Sequence, residues 1–93
     1  MRITYKQLKK LPVVTQSGQE LGSVHDAVID IEAHVIALYE VSSSVLSTKK
    51  YSITPTQVVS ITEEKMIVKD AVVPDKEQES RLNPLWQDTR AIS

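Results

Sequence analysis

"VVTQSGQELGSVHDAVIDIEAHVIALYEV", residues 13–41, decides the fold. Apolar residues recur here every second position, the period of a strand, and not every third or fourth as on a helix. Val13 and Val14 open a first strand. Ser17-Gly18-Gln19-Glu20 is a turn signal, because Gly18 takes a positive φ without steric cost. A second strand covers residues 21–31. Val24 and Ala27 stand three apart, whereas Ala27, Ile29 and Ile31 stand two apart. That break in parity predicts a β-bulge near His25 and Asp26, where one extra residue resets the inward face.

Beyond the connection Glu32-Ala33-His34, residues 35–41 form a third strand. Simple alternation puts Val35, Ala37, Tyr39 and Val41 on one face and Ile36 and Leu38 on the other. A strand wetted on one side alternates apolar with polar. Both faces of this strand are therefore expected to be covered.

Further out the signals are shorter. Ser42-Ser43-Ser44 and residues 47–50 read as loop, and Tyr51-Ser52-Ile53 as a strand ended by Pro55, which has no N–H to donate. Residues 57–61 and 66–73 flank Thr62-Glu63-Glu64-Lys65, a link suited to a hairpin. About six short strands in so small a chain favour an all-β fold, a compact antiparallel barrel whose closure hides its edges. The domain spans residues 1–73. Residues 74–93 carry Pro74, Pro84 and many charges, and read as a C-terminal tail or lid. Within it residues 76–82 suit a short helix, with Asp75 as its N-cap.

Ninety-three residues make one domain with a thin margin of stability. With no Phe and only Tyr5, Tyr39, Tyr51 and Trp86 as aromatics, the core is aliphatic. Zero cysteines exclude disulfides, thiolate chemistry and cysteine-based zinc sites. No apolar run has the length of a membrane span or the form of a signal peptide, so a cytoplasmic location is expected. The net charge of −1 is unevenly spread. Residues 1–10 hold Arg2, Lys6, Lys9 and Lys10 and no acid, while residues 11–73 hold four lysines against eight acids. Nucleic-acid binders present a basic face over the folded body. Here the body is acidic, which argues against nucleic acid as the partner.

These residues together resemble a known family. "LPVVTQSGQELGSVHDAVID", then "VIALYEV", then "YSITPTQVVSITEEKMIV" is similar to the PRC-barrel domain over roughly residues 8–73. The markers are the Ser17-Gly18 turn, Leu21-Gly22 before Val24, Asp26 through Asp30, Ile53 with Pro55, and Val58 to Ile61. The resemblance implies a six-stranded antiparallel barrel serving as a binding platform, with no shared catalytic residues. The same fold occurs in the photosynthetic reaction centre H subunit and at the C-terminus of the ribosome-maturation factor RimM. Two departures stand out. Lys10 replaces a glycine common among relatives, and Ala33-His34 replaces a glycine-bearing turn, which puts the tightness of that hairpin in question.

Site chemistry is sparse. His25, Asp26 and Asp30 cluster in sequence, but a metal needs ligands converging from at least three directions. The plainer role for Asp26 and Asp30, with Gly18 and Gly22, is to shape the turns and the bulge. The loop serines have no histidine near them to act as base. No catalytic, cofactor or metal residue is assigned. Trp86 either folds back over the barrel or anchors another chain, as tryptophan does at interfaces. The candidate interface is Ile36 and Leu38, with Leu82, Leu85 and Trp86 of the tail. The expected function is a non-catalytic protein-interaction or scaffold module that self-associates, with an accessory role in RNA processing or ribosome assembly as the alternative.

Overall fold

The computed structural model describes residues 1–44 and 49–75. The expected helix at 76–82 and the tail residues Leu82, Leu85 and Trp86 lie outside them. The first element is a one-turn helix, α1 (Tyr5–Leu8). The Gln7 N–H donates to Thr4 Oγ1 at 3.1 Å, and the Thr4 N–H donates to Gln7 Oε1 at 2.9 Å. This reciprocal capping box satisfies donors that a helix start otherwise leaves orphaned. It also sets Leu8 into the core.

Six strands follow: β1 (Pro12–Thr15), β2 (Glu20–Asp30), β3 (Val35–Ser42), β4 (Lys50–Ile53), β5 (Val58–Ile61) and β6 (Met66–Val68). They form one sheet in the order β4-β3-β2-β1-β6-β5. The all-β class holds, but the closed antiparallel barrel does not. β1 and β6 run parallel, with Val13 opposite Met66 and Thr15 opposite Val68. β4 and β5 end the sheet without pairing to each other. Between them the chain makes a 3-10 turn, Pro55–Gln57, where Gln57 Oε1 accepts from the Thr54 N–H at 2.9 Å. Pro55 has no N–H for a ladder, so the corner is turned by the backbone and not by strand pairing.

One aliphatic cluster fills the inside of this open barrel. Val13, Val24, Val41, Ile53, Met66 and Val68 are fully enclosed, with Leu8, Leu11, Leu21, Tyr39, Tyr51 and Val72 around them. Burying each of the larger side chains contributes on the order of 1.5–3 kcal/mol. Burial raises the Tyr39 phenol pKa, because the charged form loses its water.

Two irregularities set which residues face this core. The β2–β3 register slips between Val24 and Asp26, so His25 is the extra residue. It slips again between Val28 and Ile29, which pair with Leu38 and Ile36 and leave Ala37 unmatched. The second slip overturns the simple alternation along β3. Ile36 packs partly against the core, on the side of Tyr39, while Leu38 pairs with Val28 on the outer face. Ile36 and Leu38 therefore do not share a second face. The reason is that an unbroken apolar run carries no alternation from which a bulge shows.

Candidate interaction site

Strand lengths create the most distinctive surface. β1 accompanies β2 only as far as Val24, whose N–H donates to the Leu11 carbonyl at 3.0 Å and whose carbonyl accepts from Lys10 at 2.7 Å. β4 accompanies β3 only from Tyr39 to Ser42. From Asp26 to Leu38 the two strands continue as a ribbon, or arm, with no strand on either outer edge among the described residues. Isolated two-stranded ribbons are marginal in water.

This arm is apolar on both sides. Ile29 follows Ala27 on the core-side face and Ile31 opens the hairpin turn; both lie beyond the core, 60% and 79% exposed. On the outer face Val35 is 54% exposed and Val28 is partly so, beside the half-buried Leu38. Clustered aliphatics of this kind mark association sites, whereas scattered ones do not. The charge is one-sided too. Residues 11–48 contain no Lys or Arg, and the arm with its root carries Asp26, Asp30, Glu32 and Glu40.

At the arm's root, Asp26 organises a small polar cluster. The Tyr5 hydroxyl donates to Asp26 Oδ1 at 2.7 Å, and the Ala27 N–H donates to the same oxygen at 2.9 Å. Lys9 Nζ sits 5.7 Å from the Tyr5 ring centroid. The Tyr5 hydrogen bond, then the Ala27 amide, then the Lys9 charge hold the Asp26 carboxyl below the usual range. The same hydrogen bond pushes the Tyr5 phenol up. Asp30 accepts from the Ala33 N–H at 3.0 Å and shapes the hairpin end, where His34 adopts a φ of 58°.

The glycines do different work. Gly18 has a φ of 96° in the β1–β2 turn, with open space around it. There the Ser17 N–H donates to Asp70 Oδ1 at 2.9 Å, which lowers the Asp70 pKa. Gly22 has a φ of 123°, and a Cβ there would collide with the Ser42 carbonyl of β3. Lys10 adopts a φ of 74°.

A shallow cavity of about 400 Å³ opens on the sheet beside this root, lined by His25, Asp26, Glu40, Lys50, Ser52 and Asp75 among others. The Ser52 hydroxyl donates to Asp75 Oδ2 at 3.0 Å. His25 Nε2 donates to the Ser42 carbonyl at 3.1 Å, and the Ser42 hydroxyl donates to the Ser44 carbonyl at 2.9 Å. His25 thus contacts the backbone of Ser42 and not its hydroxyl. Among the described residues no three His, Asp or Glu side chains converge as metal ligands, and no helix is long and apolar enough to cross a membrane.

The open six-stranded barrel finds its match in the sequence. Residues 1–72 match the PRC-barrel domain. The chain belongs to the PRC-barrel family. No curated protein matches the sequence. Among solved structures, this PRC-barrel is similar to a putative 16S ribosomal RNA processing protein, RimM, from Pseudomonas aeruginosa. That similarity has a TM-score of 0.56 at 22% identity, over 72% of this chain and 43% of that one. The chain spans less than half of that protein's length, and at this identity the likeness shows the fold alone. T-x-x-Q at Thr4 and Gln7, the capping box of α1, is the sequence signal for the N-terminal turn within the basic segment of residues 1–10.

Proposed function

We propose that this PRC-barrel is a non-catalytic protein-interaction module, a scaffold or adaptor that self-associates through its β2–β3 arm. The exposed aliphatic surface of the arm carries this reading. Val28, Ile29, Ile31 and Val35 stand in water on a ribbon that touches the domain's core only through Ala27 and Ile36. Leaving such side chains exposed forgoes about 1.5–3 kcal/mol each relative to full burial. Leu38 remains part of the proposed surface, while Ile36 serves the core at the arm's base. Leu82, Leu85 and Trp86 belong to the proposal as further contacts on sequence grounds. A cytoplasmic location, supported by the absence of cysteine, is part of the same proposal.

Sedimentation tests it. The wild type is expected to run as a dimer or larger, and Ile29→Glu combined with Leu38→Glu as a folded monomer, since an unpaired carboxylate resists burial. A monomeric wild type at all accessible concentrations sinks the self-association.

One observation favours a second reading, an accessory role in RNA processing or ribosome assembly. Arg2, Lys6, Lys9 and Lys10 are all exposed at one end of an otherwise acidic domain. Contact with phosphate would be weak and steeply salt-dependent, and Lys9→Glu with Lys10→Glu would abolish it. Tight, sequence-specific RNA binding at physiological salt would favour this alternative over the first.

A further inference from the structure

We infer that residues 76–93 dock in cis on the outer face of their own β2–β3 arm, with Leu82, Leu85 and Trp86 covering Val28, Val35 and Leu38. The inference goes beyond the self-association proposed above and does not depend on it. It divides the arm: the outer face is closed by the chain itself, and Ile29 on the core-side face, flanked by the docked tail, is left for a second copy.

The point where the chain leaves the sheet comes first. Tyr51 and Ile53 of β4 are buried, so Ser52 between them points outward. The Ser52 hydroxyl donates to Asp75 Oδ2 at 3.0 Å, which holds the end of the described chain on the outer face. Asp75 also borders the shallow cavity on that face, together with Asp26 and Glu40. Its other oxygen, Oδ1, is buried without a hydrogen-bond partner among the described residues. A buried acceptor of this kind needs a donor, which further chain packed at the exit supplies.

Strand pairing then gives the direction. Ser52 lies opposite Glu40, and Leu38 stands two residues farther along β3 on the same outer face, paired with Val28. Strand rise and spacing put the Cα atoms of Ser52 and Leu38 roughly 8 Å apart. Leu82 follows Asp75 by seven residues. Even at a helical rise that is a reach of about 10 Å. Past Leu38 the face continues through Val28 and Val35, whereas the other way, toward Ser42 and Lys50, it is polar. Of residues 76–93 only Leu82, Leu85, Trp86, Ala91 and Ile92 are apolar, and these have their counterpart on the arm. Charge agrees. Arg81 immediately precedes Leu82, and the outer face carries Asp26, Asp30 and Glu40, with no Lys or Arg in residues 11–48 to oppose it. Tethered this closely, the chain's own tail meets the face at a higher effective concentration than a second copy's does in dilute solution.

Trp86, the chain's only tryptophan, supplies the readout. Its emission should be blue-shifted in the folded wild type and should stay so on dilution through the range in which sedimentation shows dimers dissociating. Val28→Ser with Leu38→Ser should move the emission to that of exposed tryptophan. The same pair should raise trypsin cleavage after Arg81 roughly tenfold, because cleavage follows the undocked population. Ile29→Ser, on the core-side face, should change neither. Circular dichroism checks that the variants are folded, and the wild-type measurements need no variant at all. An exposed Trp86 in the wild type overturns the inference, as does an emission that responds to Ile29→Ser and not to the outer-face pair. Emission that reddens in step with dimer dissociation places the tail on a second copy and overturns the docking in cis. A monomeric wild type with a buried Trp86 removes the self-association and supports the docking; a dimer with an exposed Trp86 does the reverse.

Discussion

Up to Val24 and from Ala27 onward, β2 shows the same taste for apolar side chains but meets different surroundings. Leu21 and Val24 are sealed inside the barrel, between β1 and β3. Ile29 and Ile31, five and seven residues past Val24, are mostly in water. Composition does not separate the two halves; neighbours do. β1 stops and β4 has not begun, so the distal half has one partner strand where the proximal half has two. Stability is thus concentrated at one end of the sheet, and spare apolar surface at the other.

The sharpest break of this contrast is Gly22→Val. A side chain there meets the Ser42 backbone, which cannot rotate away, and φ lies where branched residues are strained. A loss of about 3 kcal/mol or more is expected in denaturant unfolding. Ile29→Ala, measured where the protein is monomeric, should stay within about 0.5 kcal/mol of wild type. Similar losses at the two sites would erase the distinction between the halves.

Next comes the β1–β2 turn. Gly18→Val should cost about 1–2 kcal/mol from its positive φ alone, because nothing crowds the site. Ser17→Ala should cost less, since the Ser17 N–H to Asp70 survives the change. Equal effects would mean that the backbone angle is not what Gly18 supplies.

Lys10 and His34 offer a smaller, paired comparison. Both are non-glycine residues at positive φ, one beside the sealed half and one at the arm's end. Lys10→Gly should stabilise by roughly 0.5–1 kcal/mol, as relief of left-handed strain exceeds glycine's entropy cost. His34→Gly should gain less, because opening the arm's end does not require global unfolding. A greater gain at His34 would show the arm to be coupled to the core.

The smallest expected effect is a pH signature at the arm's root. Asp26 has a lowered pKa, so its contribution is present above the ordinary carboxylate value and is lost as pH falls through the lowered one. Tyr5 has a raised pKa, so its contribution is present below the ordinary phenol value and is lost as pH rises through the raised one. Tyr5→Phe should therefore be slightly less stable than wild type in between, with the gap closing below about pH 3.9 and above about pH 10. A gap independent of pH would remove the Tyr5–Asp26 pair from the account.

Much of this was legible in residues 13–41. The parity break between Val24 and Ala27 lies where the register slips at His25, and Gly18 lies in the turn its neighbours suggest. Alternation could show the first slip because polar residues interrupt the pattern there. It could not show the second, at Ala37, because both neighbours are apolar. The parallel β1–β6 pair was hidden for another reason. It joins residues far apart in the chain, and local periodicity carries no information about such partners. The arm's exposure follows from the same gap, since it depends on where β1 and β4 end beside it.

That long-range pair has a kinetic consequence. The β1–β2, β2–β3, β3–β4 and β5–β6 pairings each join neighbours in the chain, whereas Val13 and Met66 meet only after a loop of more than fifty residues has closed. Loop-closure entropy is spent before such a contact returns anything. The meander β1–β4 and the hairpin β5–β6 should form first, and their docking should come last. Met66→Ala, at this seam, should then hasten unfolding far more than it slows refolding in stopped-flow kinetics. The β1–β6 seam is also where global unfolding of the barrel would begin.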